Sequence, residues 1–377
     1  MCNSNEQDRI MQRTSWLKLL QHTGNSLEPR SRGMIYLITF RRRSSEEKPE
    51  RGIVMKEIPF TEIEGLHVGH AQNLAGPTGV TVIISKTGAA VGVDVRGGAP
   101  GTRETDLLDP VNLVQQVHGV FLAGGSAFGL DAAAGIMQYL EERGIGFDVQ
   151  VTRVPIVCGA ALFDLALGDH SIRPDKEMGY AACINAETGS DVQGNVGAGT
   201  GASVGKIYGM ARSMKAGTGS YAIAEKELKV GALVAVNCLG HVMDPGTGKI
   251  LAGPLGEDMK TILDTETIML NAFSNKKNLF SGNTTIGVIA TNARFNKTEA
   301  TKLASMAQNG YARTIRPAHT MYDGDTIFAM STGDIQADLS VVGFLAARAM
   351  ERAVIAAVKN TSSLCDLSCY GDFSHHP

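Results

Sequence analysis

The chain has 377 residues, of which 43% are hydrophobic and 19% charged, a composition typical of a soluble globular protein of one large domain or two ordinary ones. The net charge of −3 gives no reason to expect a nucleic-acid partner, and no apolar run reaches the roughly 18 residues of a membrane helix, so we expect no membrane partner. Six scattered cysteines without a secretory signal predict reduced thiols and a cytoplasmic protein.

The first 54 residues differ from the rest in charge. They carry ten Lys and Arg against six Asp and Glu, about +4, which leaves about −7 for the remainder. Their best apolar run, Met34 to Phe40, is too short for a membrane span or a signal core. We expect residues 1–54 to be a disordered extension.

Short strands begin at Leu66. Segments 66–70, 79–84 and 89–95 combine β-branched residues with alternating polarity, which predicts strands. His67 and His70 fall in the first segment, where a strand would not present both side chains to one metal. With no third ligand nearby in the sequence, we predict no metal site.

Two glycine-rich stretches resemble nucleotide-binding loops. Residues 120–144 read as strand, glycine turn and helix, but Gly124 to Gly129 lack the Gly-x-Gly-x-x-Gly spacing, so close packing of helix on strand is the favoured interpretation. A dinucleotide-binding oxidoreductase stays open as an alternative. The second stretch, residues 199–207, fails as a phosphate loop because Ile207 stands where Ser or Thr would bind magnesium.

A polar turn runs into a β-branched strand at Ser281 to Asn292. Gly282 and Asn283 tolerate the positive φ of a strained turn, and Thr284 follows. Its hydroxyl could attack the Asn283 carbonyl, and hydrolysis of the resulting ester would leave Thr284 as a new N-terminus. An α-amine, with a pKa of about 7.7 to 8.0, could then act as base for the hydroxyl of the same residue. The dipeptide by itself is far more typical of an ordinary loop that enters a sheet.

The remaining elements are predicted by periodicity and caps. We expect an exposed loop at 271–283, a helix from about Lys297 to Arg313 with Asn296 or Thr298 as N-cap, and a helix from about Asp338 to Lys359. The polar residues 360–377 predict a mobile tail.

Four separated motifs resemble one family. In chain order they are residues 282–286, 290–293, 315–320 and 323–326. They resemble the self-cleaving family of DmpA-type aminopeptidases/D-amidases with an N-terminal Ser or Thr nucleophile, and in motif most closely its nylon-oligomer (6-aminohexanoate oligomer) endohydrolases. The resemblance extends over roughly residues 58–359.

The resemblance implies an α/β fold, a layered αββα sandwich like that of the N-terminal-nucleophile hydrolases. It also implies cleavage between Asn283 and Thr284, which gives a large part, residues 55–283, and a small part, residues 284–377. Such cleaved pairs would assemble further, often as a homotetramer. No cofactor and no metal are implied.

The resemblance further implies the site residues. Thr284 would be the nucleophile, and Lys206 and Asn237 would stabilise the oxyanion. Asp323 and Asp325 would orient the Thr284 amine and Lys206 or keep them charged.

Substrate choice depends on the segment from Pro155 to Asp164, which lacks the glutamate of the aminopeptidase branch and has Phe163 where the nylon-oligomer hydrolases have a tyrosine. We therefore expect Phe163 to bind substrate, a small peptide or ω-amino amide. An aminopeptidase with L-, D- or β-amino acid specificity, an acyltransferase and an unprocessed assembly subunit remain alternatives.

Overall fold

A computed structural model describes residues 55–189, 191–274 and 283–373 of the chain. The expected extension of residues 1–54 lies outside these ranges. Among the described residues, no helix has both the length and the apolar character needed to cross a membrane.

The described part contains α-helices and short strands in a mixed order. The helices are α1 (Ala132–Glu141), α2 (Lys176–Asn185), α3 (Thr265–Ser274), α4 (Lys297–Thr314) and α5 (Leu339–Lys359). The strands are β1 (Lys56–Ile58), β2 (His67–Asn73), β3 (Thr78–Val95), β4 (Thr102–Arg103), β5 (Val117–Ala123), β6 (Phe147–Asp148), β7 (Arg153–Val154), β8 (Val157–Ala161), β9 (Ser203–Val204), β10 (Met214–Lys215), β11 (Thr218–Glu225), β12 (Leu228–Ala235), β13 (His241–Asp244), β14 (Lys249–Ala252), β15 (Ile286–Ala293), β16 (Ile315–Arg316) and β17 (Thr326–Ile335).

One long strand joins two stacked sheets. The hydrogen-bonded order is β1-β11-β12-β15-β17-β3-β5-β8-β4, and β2 also pairs with β3. The second half of β3, residues 90–95, pairs with β17, whereas its first half, residues 78–84, pairs with β2 and β5. The two strands predicted at 79–84 and 89–95 are therefore a single element.

Strand alternation separates the cores of the four layers. In β17, Ile327 and Ala329 pack in the cluster shared with α4 and α5, while Phe328 and Met330 pack in the cluster between the two sheets. In β5, Phe121 instead faces a third cluster, which α1 and α2 cover. Because successive strand residues point to opposite faces, each sheet is buried on both sides, and the layers stack as α, β, β and α.

Close approach of helices to sheets accounts for part of the glycine content. A Cβ on Gly219 in β11 would lie 2.2 Å from the carbonyl oxygen of Ala353 in α5.

Both predicted long helices are confirmed. Asn296 is the N-cap of α4 and forms a capping box with Glu299.

Two expectations from the sequence differ from the structure. Residues 271–274, expected in an exposed loop, form the last turn of α3, and residues 275–282 lie outside the described ranges. The expected mobile tail is packed over its described part, residues 360–373: Thr361 is buried and the Lys215 backbone N donates to the Ser368 carbonyl at 2.8 Å. Polar composition alone misses such contacts, because backbone groups make them.

Candidate active site

Three neighbouring strands bring the predicted residues to one edge of the sheet. In the antiparallel pair β12 and β15, Ala235 lies opposite Ile286, and in the parallel pair β15 and β17, Ile286 lies opposite Thr326. The residues just beyond these strand ends, Asn237, Thr284 and Asp325, therefore meet.

The Asn283–Thr284 peptide is buried and held at both of its polar atoms. Thr284 is 3% exposed. Its backbone N donates to the Asn237 carbonyl at 2.9 Å, and the Asn283 carbonyl oxygen accepts from the Gly324 backbone N at 3.0 Å. The Thr284 hydroxyl donates to that same Asn283 oxygen. The hydroxyl is thus in contact with the carbonyl that precedes it.

Lys206 reaches the same point from another element. It begins a 3-10 turn after Gly205, whose φ of 74° suits glycine, and it is 3% exposed. Its Nζ donates to Asn237 Oδ1 at 2.7 Å and to Asn237 O at 3.2 Å. Burial lowers the pKa of Lys206 to about 8, while the charges of Asp323 and Asp164 oppose that shift. Of its three N–H donors, two are used by described residues, so one remains.

The Asn237 side chain is held at both ends. Oδ1 accepts from the Ser203 backbone N at 3.1 Å as well as from Lys206, and Nδ2 donates to the Phe163 carbonyl at 2.9 Å. One Nδ2 hydrogen is thereby used, and the other is available as a donor. Phe163 enters the site through its backbone carbonyl, and its side chain is half-buried.

The two predicted acids contact backbone and hydroxyl groups. Asp325 Oδ1 accepts from the Thr285 backbone N at 2.8 Å. Asp323 Oδ2 accepts from Thr320 N at 2.9 Å and from Thr320 Oγ1 at 2.5 Å. Burial and the neighbouring Asp325 charge raise the pKa of Asp323 to about 6. Within the described residues neither acid bonds directly to Lys206 or to Thr284; Asp323 acts on Lys206 by charge.

His319 is a site residue that the sequence reasoning did not assign. Its Nδ1 lies 3.0 Å from Asp325 Oδ2, and its backbone N donates to the same oxygen at 2.9 Å. The residue takes a φ of 59°, which is uncommon for residues other than glycine, although His adopts it more often than most. The available signal was its position in the 315–320 motif.

A glycine-rich loop, residues 96–101, braces the Asp323–Asp325 turn. The Ala99 backbone N donates to the Asp323 carbonyl at 2.8 Å, and the Arg96 backbone N donates to the Asp325 carbonyl at 2.9 Å. A Cβ on Gly97 would lie 2.2 Å from the Asp323 carbonyl oxygen. This contact requires glycine at position 97. The loop therefore has a structural role, the support of the Asp323–Asp325 turn.

The loop at Gly124 is filled by a carboxylate of the chain itself. Asp164 Oδ1 accepts from the Gly125 backbone N at 2.6 Å, and its Oδ2 accepts from the Thr78 hydroxyl at 2.7 Å. Burial raises the pKa of Asp164 to about 6. The Gly125 backbone amide, which a bound phosphate would need as a donor, is therefore already bonded to a carboxylate. This favours the packing interpretation over dinucleotide binding.

The two histidines of β2 do not form part of a cluster. His70 is buried with Nδ1 at 2.9 Å from Thr81 Oγ1, and burial lowers its pKa to about 4. Over residues 55–189, 191–274 and 283–373, no three His, Cys, Asp or Glu side chains are grouped as metal ligands.

Known proteins resemble the chain over most of its length. The family model for peptidase family S58 matches residues 59–365. An uncharacterized aminopeptidase of Mycobacterium tuberculosis (strain ATCC 25618 / H37Rv) is 42% identical over 343 residues, which cover 83% of this chain and 97% of that protein. A 6-aminohexanoate-oligomer endohydrolase of Kocuria sp. (strain KY2) is 31% identical over 314 residues, covering 79% and 85%.

The fold is likewise similar to a solved structure. The L-aminopeptidase D-Ala-esterase/amidase of Ochrobactrum anthropi, a variant of the N-terminal-nucleophile hydrolase fold, superposes with a TM-score of 0.60 at 20% identity, covering 80% of this chain and 85% of that one. The predicted fold class is confirmed, and so is the resemblance on which it rested.

Proposed function

Because the chain belongs to peptidase family S58, we propose that it is a self-processing amide or peptide hydrolase that cleaves its own Asn283–Thr284 bond and then uses Thr284 as an N-terminal nucleophile. One contact carries the proposal: the Thr284 hydroxyl lies against the carbonyl oxygen of Asn283, inside a buried and fully hydrogen-bonded peptide.

Self-cleavage proceeds in two balanced steps. Thr284 Oγ attacks the Asn283 carbonyl carbon, the C–N bond breaks, and the hydroxyl proton passes to the departing nitrogen, which becomes the Thr284 α-amine. Water then hydrolyses the ester and leaves an Asn283 carboxylate. The large part would be residues 55–283, following the extension, and the small part residues 284–377.

The mature enzyme repeats this chemistry on a substrate amide. Thr284 Oγ attacks the carbonyl, the Thr284 amine takes the proton, and Lys206 and Asn237 stabilise the oxyanion with N–H donors that no described residue uses. The C–N bond then breaks, the Thr284 amine passes the proton to the departing substrate amine, and water hydrolyses the acyl ester of Thr284. Asn237 O accepts from both Thr284 N and Lys206 Nζ, so the new amine lies beside an ammonium. That like charge lowers the amine pKa and keeps it available as a base.

Asp323 and Asp325 would act on charge and position. The Asp323 carboxylate favours the protonated form of Lys206, and Asp325 holds the Thr285 backbone N that directly follows the nucleophile. No cofactor takes part in these steps.

Two observations bear on the proposed substrate, a small peptide or ω-amino amide bound beside Phe163. Both oxygens of Asp164 already accept internal hydrogen bonds, so this acid is not free to bind a substrate's terminal amine. The Kocuria relative is named as an oligomer endohydrolase, whereas the mycobacterial relative is named as an aminopeptidase. Comparing hydrolysis of one small peptide with a free and with an acetylated N-terminus separates the two activities: strict dependence on the free amine would make the protein an aminopeptidase and contradict cleavage of internal amides.

We also propose that the cleaved parts stay together and assemble as a homotetramer in the cytoplasm. Sedimentation of the purified protein would measure the assembly, and a monomeric mature protein would contradict it.

The decisive experiment is the intact mass of the purified chain under denaturing conditions, with N-terminal sequencing of any smaller piece. The wild type should give two pieces, the smaller beginning Thr-Thr-Ile-Gly, and Thr284→Ala should stay intact and inactive. Thr285→Ala removes the adjacent hydroxyl and is the matched control, which should still be cleaved. A cleaved and active Thr284→Ala protein would refute the assignment.

A further inference from the structure

Gly324, between the two acids, donates a backbone hydrogen bond to the scissile peptide. Its backbone N–H donates to the Asn283 carbonyl oxygen at 3.0 Å. Nucleophilic attack on this carbonyl would place negative charge on that oxygen, and a fixed backbone N–H in a buried site is the kind of donor that stabilises it.

The position has no room for a side chain. A Cβ on Gly324 would lie 2.7 Å from Thr284 Oγ1, 3.1 Å from Thr284 Cγ2 and 2.7 Å from the Ala99 carbonyl oxygen. The φ of Gly324 is outside the left-handed region, so backbone conformation does not require glycine here. The requirement is steric, and the two nearest atoms, both at 2.7 Å, are the attacking oxygen and the Ala99 carbonyl oxygen.

The glycine-rich loop 96–101 fixes the direction of this N–H. It bonds to the carbonyl oxygens of Asp323 and Asp325, on both sides of Gly324. Asn283 and Asp323 form a parallel bridge, with the Asn283 backbone N donating to the Tyr322 carbonyl at 3.2 Å. The donor is therefore set before reaction, as electrostatic stabilisation of a transition state requires.

We infer that Gly324 is a catalytic residue of self-cleavage: its backbone N–H is the oxyanion donor for the Asn283 carbonyl, and its missing side chain admits the Thr284 hydroxyl. This inference rests on the proposed self-processing. It makes the Gly324 N–H the oxyanion donor of self-cleavage, whereas Lys206 and Asn237 are the oxyanion donors of substrate hydrolysis.

The test is the rate of cleavage of Gly324→Ala, followed by intact mass from the time of synthesis. Gly119→Ala, in β5 and outside the site, is the matched control, because a Cβ there would make only ordinary contacts, the nearest to Ile136 Cγ2 at 3.5 Å. We expect Gly119→Ala to be cleaved within about threefold of the wild-type rate, and Gly324→Ala to be at least about 100-fold slower, since a misplacement of about 1 Å costs that much.

The outcomes separate this inference from the proposed function. Cleavage of Gly324→Ala at the wild-type rate would overturn the role of Gly324 and leave Thr284 as nucleophile. A wild-type chain that stays intact would overturn both. Thermal melting of the uncleaved variant shows whether it is folded.

A second measurement does not depend on the folding of Gly324→Ala. A crystal structure of the intact Thr284→Ala protein, which removes atoms and adds none, should place Gly324 N within hydrogen-bond distance of Asn283 O. A Gly324 N–H turned away from that oxygen would overturn the inference.

Discussion

Two buried lysines, Lys206 and Lys215, lie nine positions apart in the chain and differ in what their ammonium groups contact. Lys206 donates to the side chain and the backbone carbonyl of Asn237, and no described residue uses its third donor. Lys215, 0% exposed, donates to the carbonyl oxygens of Gly199 at 3.1 Å, Ala202 at 2.9 Å and Ala216. All three of its donors are used.

Under the proposed function, the difference separates a reactive lysine from a structural one. Burial lowers the pKa of both, to about 8 for Lys206 and about 7 for Lys215. A perturbed pKa therefore does not by itself identify the functional group. The unused donor and the neighbouring scissile peptide distinguish Lys206, whereas Lys215 ties together the loop that leads to Ser203 and Lys206.

The largest effect we predict is that of Lys206→Met on chemistry. Loss of an oxyanion donor costs about 10²- to 10³-fold in rate, so substrate turnover should fall by at least that amount. Stability should change by about 1 kcal/mol or less, since Asn237 O and Oδ1 keep Thr284 N and Ser203 N as donors and a buried charge is removed.

Activity assays and thermal melting of the same preparation would measure both. If the Lys206→Met variant melted far below the wild type but retained turnover, Lys206 would be the structural lysine and the comparison would be reversed.

The pH profile of turnover should show the next largest effect, about tenfold per pH unit on each side of the optimum. Lys206 is protonated below its pKa of about 8, so the rate should fall as pH rises through 8. Asp323 is ionised above its pKa of about 6, so the rate should fall as pH drops through 6.

Steady-state rates from pH 5 to 9 on wild type and Asp323→Asn would test this assignment. The variant should lose the acidic limb at 6, and its alkaline limb should move to lower pH because the Asp323 charge no longer raises the pKa of Lys206. An acidic limb that persists unchanged in Asp323→Asn would assign it to another group.

The smallest effect on turnover is expected for Lys215→Met, within about threefold. Its effect should appear in stability, a loss of about 2 kcal/mol, because three hydrogen bonds to a charged donor disappear and the buried charge offsets only part of that. The folded-state pKa of Lys215 lies below the ordinary 10.5, so the unfolded chain binds the extra proton between pH 7 and 10. The stability of wild type relative to Lys215→Met should therefore rise with pH across that window.

Urea unfolding at pH 7 and 9 would measure this difference. Lys297→Met is the control, since Lys297 also donates to three carbonyl oxygens, those of Leu107, Asn112 and Val114, none of which belongs to the site. If Lys215→Met lost turnover as severely as Lys206→Met, the two lysines would not be separable.

The outline of this site was predicted partly from local pattern and partly from the family resemblance. The position of Thr284 before β15 follows from a polar turn that runs into a β-branched strand, whereas Asn237 after β12 and Asp325 before β17 were implied by the resemblance. The helix N-cap at Asn296 was predictable for the same local reason.

The parts that could not be predicted depend on distant backbone groups. Nothing in the pattern around Lys215 indicates that three carbonyl oxygens surround it, because those acceptors are placed by a β9–β10 pairing of only two residues each. The same holds for His319, whose partner Asp325 is near in sequence but faces it only through a backbone with positive φ. Residues 85–88, predicted to separate two strands, continue β3 from one sheet into the other.

The central position of β15 has a further consequence for any chain cut at its start. β15 pairs with β12 on one side and with β17 on the other, so a break before Ile286 severs no strand pairing and leaves the small part inserted in the sheet. Unfolding would nevertheless release two separate polypeptides, and their return would require a bimolecular encounter. Folding is independent of protein concentration only while the chain is intact, that is, before cleavage. After cleavage, the folded state would persist because its unfolding barrier is high.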